Sequence, residues 1–395
     1  MNNKEKNIVP ELRFPEFIND GEWKMDELAN CLGYLQPTPY LVKSTDYNDS
    51  YKTPVLTAGK TFILGYTKEE EGVFDKNLPV IIFDDFTTGT QFVDFPFKTK
   101  SSAMKILIPK NDSNIKFVFE SIQNLNFEVG VHKRHWISVY SKLRIPLPKE
   151  TTEQKKIADC LSSLDEVINA ETEKLELLKD HKKGLLQQLF PQEGETQPKY
   201  RFPEFKNDGD WKETTLDAVA DYENGKAHEK EISKTGKYKV VNSKFISTEG
   251  EVVKFSDSVN LETTVGDVLM VLSDIPNGKA LAKCFYVDKN DTYTVNQRIC
   301  KITSTNINNI FLFYQLNRNK YFLRFDDGNK QTNLRKVDVL NCPILKPTNP
   351  KEQDKIANTL TSASTLIEAQ TQKIEDLQAH KKGLLQQLFP NINTL

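Results

Sequence analysis

The sequence predicts an α+β protein made of two globular segments and two long helices, with the whole design duplicated. Three observations carry this. The stretch EQKKIADCLSSLDEVINAETEKLELLKDHKKGLLQQLFP, Glu153 to Pro191, returns as EQDKIANTLTSASTLIEAQTQKIEDLQAHKKGLLQQLFP, Glu352 to Pro390, and the last eleven residues of the two copies are identical. A shorter motif, RFPEFINDGEWK from Arg13 to Lys24, returns as RFPEFKNDGDWK from Arg201 to Lys212. Between motif and long stretch, each half holds short apolar runs bounded by Gly, Asn and Asp, the pattern of strands in a mixed or antiparallel sheet.

Along the chain, the motif at Arg13 reads as a loop from its Pro, its Asn-Asp-Gly and its aromatics. Phe14, Phe17 and Trp23, like Phe202, Phe205 and Trp211 in the second copy, are expected to pin that loop to its domain. In the first segment LPVIIFDDF and AMKILIPK read as strands, FVFESIQNL near Phe117 as a helix, and LRIPLP from Leu143 as a closing strand. After the break QEGETQ the second segment repeats the scheme: strands YKVVN, GDVLMVLS and QRICKIT, a helix IFLFYQLNRNKYF from Ile310, and a closing strand LNCPILKP from Leu340. The predicted division is 1–152 for the first motif and globular segment, 153–191 for the first long helix, 192–351 for the second motif and segment, and 352–390 for the second long helix.

The long repeat has a physical period. Ile157, Leu161, Leu164, Ile168, Leu175, Leu178, Leu185 and Leu189 fall at alternating steps of four and three once Glu171 and Lys182 are counted, the seam of a heptad pattern. The second copy keeps the seam from Ile356 to Leu388 and keeps its two polar positions as Gln370 and Lys381. Polar seam residues weaken a helix pair but fix its register, which suits a defined partner. Uninterrupted by Pro, roughly 37 residues make a rod on the order of 55 Å long, so two long helices packed on each other are expected.

Composition excludes several classes. With 38% hydrophobic residues, 27% charged and a net charge of −2, the chain reads as an ordinary soluble protein. No apolar run approaches the roughly 18 residues of a membrane span, and MNNKEKNIVP lacks a secretory apolar core, so the cytoplasm is the expected compartment and no membrane partner is expected. Cys31, Cys160, Cys284, Cys300 and Cys342 are scattered without a C-x-x-C, against a disulfide framework or structural zinc. No methyltransferase D/N-P-P-Y/F box, phosphate loop or H-E-x-x-H occurs, so no catalytic residue and no metal site are assigned. The pairs Asp84–Asp85 and Asp326–Asp327 read as solvated turns, and His132 with His135 lacks the further ligands a metal needs.

Charge is uneven within each half. Residues 26–95 carry 5 Lys and Arg against 11 Asp and Glu, whereas residues 96–149 carry 10 against 3. Residues 213–277 carry 7 against 12, and residues 278–346 carry 12 against 5. Two basic faces, one per repeat, fit phosphate binding without a uniformly sticky surface, although ordinary surface lysines give the same count. Within the basic halves lie GVHKRHWISVYS from Gly130 and GNKQTNLRKVDV from Gly328, loops rich in types that suit base edges and phosphates. The DNA-binding candidates are Lys133, Arg134, His135 and Trp136 in the first, and Lys330, Gln331, Asn333 and Arg335 in the second. Lesser candidates are Lys98, Lys100, Ser101, Ser102, Asn296, Gln297 and Arg298.

Two variable segments, each closed by a Pro-ending strand and followed by an EQ-x-x-I-A helix that finishes in KKGLLQQLF, resemble the specificity subunit of a type I restriction-modification enzyme over almost the whole chain. The resemblance implies two target recognition domains, each reading one half of a bipartite site in double-stranded DNA. It also implies that the long helices pack as an antiparallel coiled coil with pseudo-two-fold symmetry, set the spacing of the halves, and dock two methyltransferase subunits. Restriction and translocase subunits join through the complex. The chain itself is then no enzyme and binds no cofactor, S-adenosylmethionine, ATP and Mg being implied only for partner subunits. A stand-alone sequence-specific DNA-binding protein dimerising through its helices, and a nuclease with an unrecognised site, are the alternatives that the residues leave open.

Overall fold

A computed structural model of the chain describes residues 8–57, 59, 61–125, 135–228 and 231–391. Its contacts divide it into two compact units, one of Met1–Glu173 with Thr371–Leu395 and one of Lys174–Gln370. The two long helices, Thr151–Leu189 and Pro350–Leu388, each begin in one unit and end in the other.

In the first unit a four-stranded antiparallel sheet runs in the order Leu32–Leu35, Met104–Pro109, Val80–Asp84, Thr90–Val93. Val80–Asp84 is covered on both faces. Ile81 and Phe83 enter one apolar cluster with Trp23, Leu107 and Phe117, while Val80 and Ile82 enter another with Leu56, Phe97 and Ile106. Side chains alternate across a strand, so two covered faces require the unbroken apolar run seen there in the sequence. Behind the second cluster, Ile63–Thr67 pairs antiparallel with Thr53–Leu56, which pairs parallel with Lys98–Thr99.

The second unit repeats this plan. Its antiparallel sheet runs Ala220–Asn224, Ile299–Ser304, Val268–Val271, Cys284–Tyr286. Val268 and Met270 enter one cluster, Leu269 and Val271 the other. Tyr238–Val241 pairs parallel with Tyr293–Val295, matching the parallel pair of the first unit. Four of the cysteines are buried and Cys160 is half-buried.

Each segment is closed by a two-stranded antiparallel ribbon, Lys24–Glu27 with Arg144–Leu147 and Lys212–Thr215 with Pro343–Lys346. The repeated motif is locked onto the start of the long helix that follows. Arg13 donates to both carboxylate oxygens of Glu153 at 2.7 Å and to the Gly21 carbonyl, and Arg201 does the same to Glu352 at 2.8 Å and to the Gly209 carbonyl. The Gln of each EQ pair accepts the amide of a helix N-cap, Gln154 from Asn114 at 3.1 Å and Gln353 from Asn308 at 2.9 Å. Those caps open the expected helix Ile115–Gln123 and the helix Asn309–Leu316; the stretch expected as one helix from Ile310 breaks at Asn317 and resumes as Lys320–Leu323. The motif tryptophans pin as expected: Trp23 lies against Phe117 and Phe389, and Trp211 against Phe190 and Phe311.

Every seam position of both long helices is buried or half-buried. In the first unit Glu171 pairs with Lys373 at 2.5 Å and Asp165 with Lys381 at 2.7 Å, so residue number climbs along one helix as it falls along the other. Lys381 also reaches Glu120 at 3.0 Å, and Lys116 closes the cluster at 2.8 Å from Glu120 and 2.7 Å from Asp165. At the matching place in the second unit the Tyr314 hydroxyl lies 3.1 Å from the Ser364 hydroxyl, with the Lys182 ammonium 5.5 Å from the centre of its ring.

Candidate nucleic-acid interface

In both units candidate residues arrive at one place, the end of the central core strand. In the second unit the Leu272 amide donates to the Arg298 carbonyl at 2.9 Å, and the Leu272 carbonyl accepts from Leu334 at 2.8 Å. The next residues extend this seam, Ser273 pairing with Asn333 and Asp274 with Thr332. The segments 296–298 and 330–335 are thus brought to either side of residues 272–274. In the first unit the Asp85 amide donates to Ala103 at 3.1 Å, and its carbonyl accepts from His135 at 2.8 Å. Ala103, just after the segment 98–102, and His135 therefore flank Asp85 in the same sheet order, while Lys98 and Thr99 themselves pair with Val55 and Leu56. The stretch after Gly328, expected as a loop, contains the short strand Thr332–Asn333 and a helical turn Lys336–Leu340.

Side by side, the candidates differ in what they offer. Lys330, Gln331, Asn333, Arg335, Gln297 and Arg298 are exposed, and Asn296 is half-buried. Gln331 donates to the Asn333 side-chain oxygen at 3.2 Å, so these two amides present a joined edge. Arg335 is exposed but engaged, its backbone amide donating to the Asp338 carboxylate at 2.9 Å and its guanidinium bonding both oxygens of the same carboxylate at 2.8 and 2.9 Å. That hydrogen bond holds the Asp338 carboxyl below its ordinary value. In the first unit Lys100 and Ser102 are exposed and Ser101 is half-buried. Lys100 donates to the Tyr47 hydroxyl at 3.2 Å.

Three candidates occupy the interior. Lys98 is 1% exposed, with its ammonium 3.0 Å from Glu69 and bonded to the Glu71 carbonyl. Burial pushes the Glu69 carboxyl up, but the Ser44 amide and Lys98 outweigh it and hold the group low. His135 and Trp136 are each 2% exposed, the Trp136 ring meeting Phe83 edge-on at 5.2 Å between centroids. Lys133 and Arg134, with His132, lie outside the described residues.

The acidic pairs sit at turns, with Asp327 exposed and Asp84 and Asp326 half-buried, and only Asp85 of the four is buried. Asp84 caps the amides of Phe86 and Thr87 at the turn, whereas Asp85 is 1% exposed, accepts the Trp136 amide at 2.9 Å and sits 3.6 Å from the Lys105 ammonium. In the second unit Asp326 accepts from Gly328 and Thr332, and Asp327 from the amides of Asn329 and Lys330, which hold Asp327 below its ordinary value. Carboxylates near this interface are thus turned onto backbone amides or Arg335, while Arg298 and Lys330 stay exposed. Sequence reading missed these internal partners because a carboxylate's hydrogen bonds leave no mark on composition.

Among the described residues no group of three or more His, Cys, Asp or Glu is placed to hold a metal ion, and no helix is long and apolar enough to cross a membrane.

Comparison with known proteins matches this architecture. The chain is 48% identical over 158 residues to the Type I restriction enzyme EcoR124I/EcoR124II specificity subunit of Escherichia coli, a stretch covering 38% of this chain and 39% of that subunit. The Type I restriction enzyme MjaVIII specificity subunit of Methanocaldococcus jannaschii is 28% identical over 96% of this chain and 93% of its own length. The crystal structure of a type I restriction-modification system S subunit from M. genitalium superposes with a TM-score of 0.64 over 98% of this chain and 100% of that one, at 16% identity, a likeness of fold. The family described as "Type I restriction modification DNA specificity domain" matches residues 22–180 and again 208–379, one match in each half of the duplicated design. The chain belongs to the type I restriction-modification DNA specificity family.

Proposed function

We propose that this chain is the DNA sequence-recognition subunit of a type I restriction-modification complex and performs no chemistry itself. Each unit lays its basic loops on the duplex, phosphate contacts set the register, and base contacts in the groove give the sequence. Two linked readers make a bipartite target in which the gap is part of the code. The observation that carries this reading is that the candidate segments of the second unit, 296–298 and 330–335, flank the end of its central strand, the position that Ala103 and His135 flank in the first unit. In the second unit those segments carry the exposed Arg298, Lys330, Gln331 and Asn333.

The buried heptad stripe and the opposed ion pairs Glu171–Lys373 and Asp165–Lys381 support an antiparallel coiled coil along the helices. The remaining exposed helix faces are where two methyltransferase subunits dock, and restriction and translocase subunits join through them. S-adenosylmethionine, ATP and Mg then belong to those partners, and the complex works in the cytoplasm.

The test is co-expression with the genome-adjacent methyltransferase, mass determination of the complex, and sequencing of methylated adenines in host DNA. Two methyltransferases per chain and methylation at a split, asymmetric motif are expected. Purification as a homodimer that binds DNA alone, with no split motif methylated, would overturn the reading in favour of an independent DNA-binding protein.

A further inference from the structure

The turn that follows the central strand of the second unit holds an apolar side chain out into solvent. Ile275 is 68% exposed, unusual for an isoleucine so close to a core strand. Isolated exposed apolar residues are common, so exposure alone says little; the construction of the turn says more. The Asp274 carboxylate accepts the amides of Ile275 at 2.8 Å, Ala280 at 2.6 Å and Leu281 at 3.1 Å, and the Ile275 carbonyl accepts from Gly278 at 2.9 Å. A Cβ at Gly278 would lie 2.2 Å from that carboxylate, so only glycine permits the arrangement. The Asn277 side chain donates to the Gly328 carbonyl at 3.3 Å, and Asp274 pairs with Thr332, which ties the turn to the strand Thr332–Asn333 and to Gln331 just before it. A rigid, multiply bonded turn thus presents one aliphatic tip beside two linked amides, with Lys279, Arg298 and Lys330 exposed on the adjoining segments.

In the major groove an A·T pair shows a donor and acceptor on adenine, which Asn and Gln match, and on thymine a methyl group that only an apolar contact reads. The cations complement the flanking phosphates. We propose that Ile275 is a specificity-determining residue of the second unit, contacting the 5-methyl of a thymine within the half-site that this unit reads. The assignment rests on the proposed function.

The experiment uses the full chain in its complex with the co-expressed methyltransferase. The half-site of the second unit is first identified as the half that changes when residues 213–350 are exchanged. Each thymine of that half-site is then replaced in turn by uracil, which lacks only the methyl, and duplex affinity is measured for the wild type and for I275A. The wild type is expected to lose about three- to ten-fold at one position. I275A is expected to bind the thymine duplex about that much more weakly and to be indifferent to uracil at the same position. Unchanged recognition of the other half-site in I275A confirms that the variant is folded. If I275A keeps the full uracil effect, or no thymine of this half-site responds, the contact is wrong while the recognition function stands. If exchanging residues 213–350 alters no half-site, the recognition reading falls and the contact falls with it.

Discussion

Arg201 grips Glu352 through two guanidinium nitrogens at 2.8 Å each, with both side chains almost wholly out of solvent at 6% and 1% exposure. Trp211 adds a third bond to the same carboxylate at 3.3 Å. Removing one partner of such a pair strands the other charge, so R201A is predicted to destabilise the second unit by about 3–5 kcal/mol. Replacing both with apolar residues of similar size, R201M with E352L, is predicted to cost less than either single change. Denaturant unfolding of R201A, and of the wild type, R201M, E352L and the double variant as a cycle, measures this, and additive single effects would show that the pair is not coupled.

The cluster of Lys116, Glu120, Asp165 and Lys381 makes stability depend on pH. Burial pushes the Asp165 carboxyl up, but hydrogen bonds from Lys116 and Lys381 outweigh it and hold the group below its ordinary 3.8. Its contribution is therefore complete above about pH 4 and is lost as pH falls through the lower folded value. For Lys381 burial pulls downward, but Asp165 and Glu120 more than restore the ammonium. That contribution is complete below about pH 10 and is lost as pH rises through the raised folded value. D165N is predicted to cost about 2 kcal/mol at neutral pH and to flatten the acid limb of the unfolding profile. An acid limb of unchanged slope in D165N would remove the cluster from the account.

Exposed and buried lysines are predicted to behave oppositely. K330A should weaken binding evenly across sequences and reduce the salt slope by about one, as for a single phosphate contact. K98A should leave sequence preference intact and lower the unfolding midpoint, since it removes the buried ammonium that pairs with half-buried Glu69. Affinity titrations at several salt concentrations, with thermal melts, separate the two. A change of sequence preference in K98A would contradict its interior role.

The helices offer a dimensional test. Removing one heptad from both shortens the rod by about 10 Å, or about three base pairs of duplex. The methylated motif is predicted to lose spacer and keep both half-sites. Altered half-sites with an unchanged spacer would refute the helices as the measure of the gap.

Exchanging residues 25–150 for the corresponding segment of another family member is predicted to change one half-site and leave the other alone. Methylation mapping reads this directly, and loss of both halves would argue against independent readers.

Much of this was legible beforehand because repetition and periodicity survive in sequence. The paired motifs, the heptad seam, and the strands at Val80 and Val268 follow from patterns that covered faces impose. The partners were not legible. Lys98 resembles any surface lysine by type, and only the fold brings Glu69 from another strand connection to its ammonium. Trp136 beside His135 reads as a DNA-binding candidate in a basic loop, yet its ring meets Phe83 edge-on in the core. The EQ pair was visible as a signature, but that its Glu seizes the motif arginine and its Gln a helix cap required geometry. Base-contacting residues stay least legible, because exposed positions carry no packing constraint to betray them.

The first unit borrows Leu384, Leu385, Leu388 and Phe389 from the far end of the second long helix, and the Leu12 amide bonds the Gln387 carbonyl there at 2.9 Å. During synthesis those residues leave the ribosome after everything in the second unit, which is continuous from Lys174 to Gln370. Domains ordinarily mature from the N-terminus onward; here the half translated first is completed last. Until Phe389 emerges, Trp23 and Phe117 lack the ring that closes over them. A nascent chain of this protein therefore carries an open apolar seat through most of its translation, and a message truncated before that point yields a first unit with its seat unfilled.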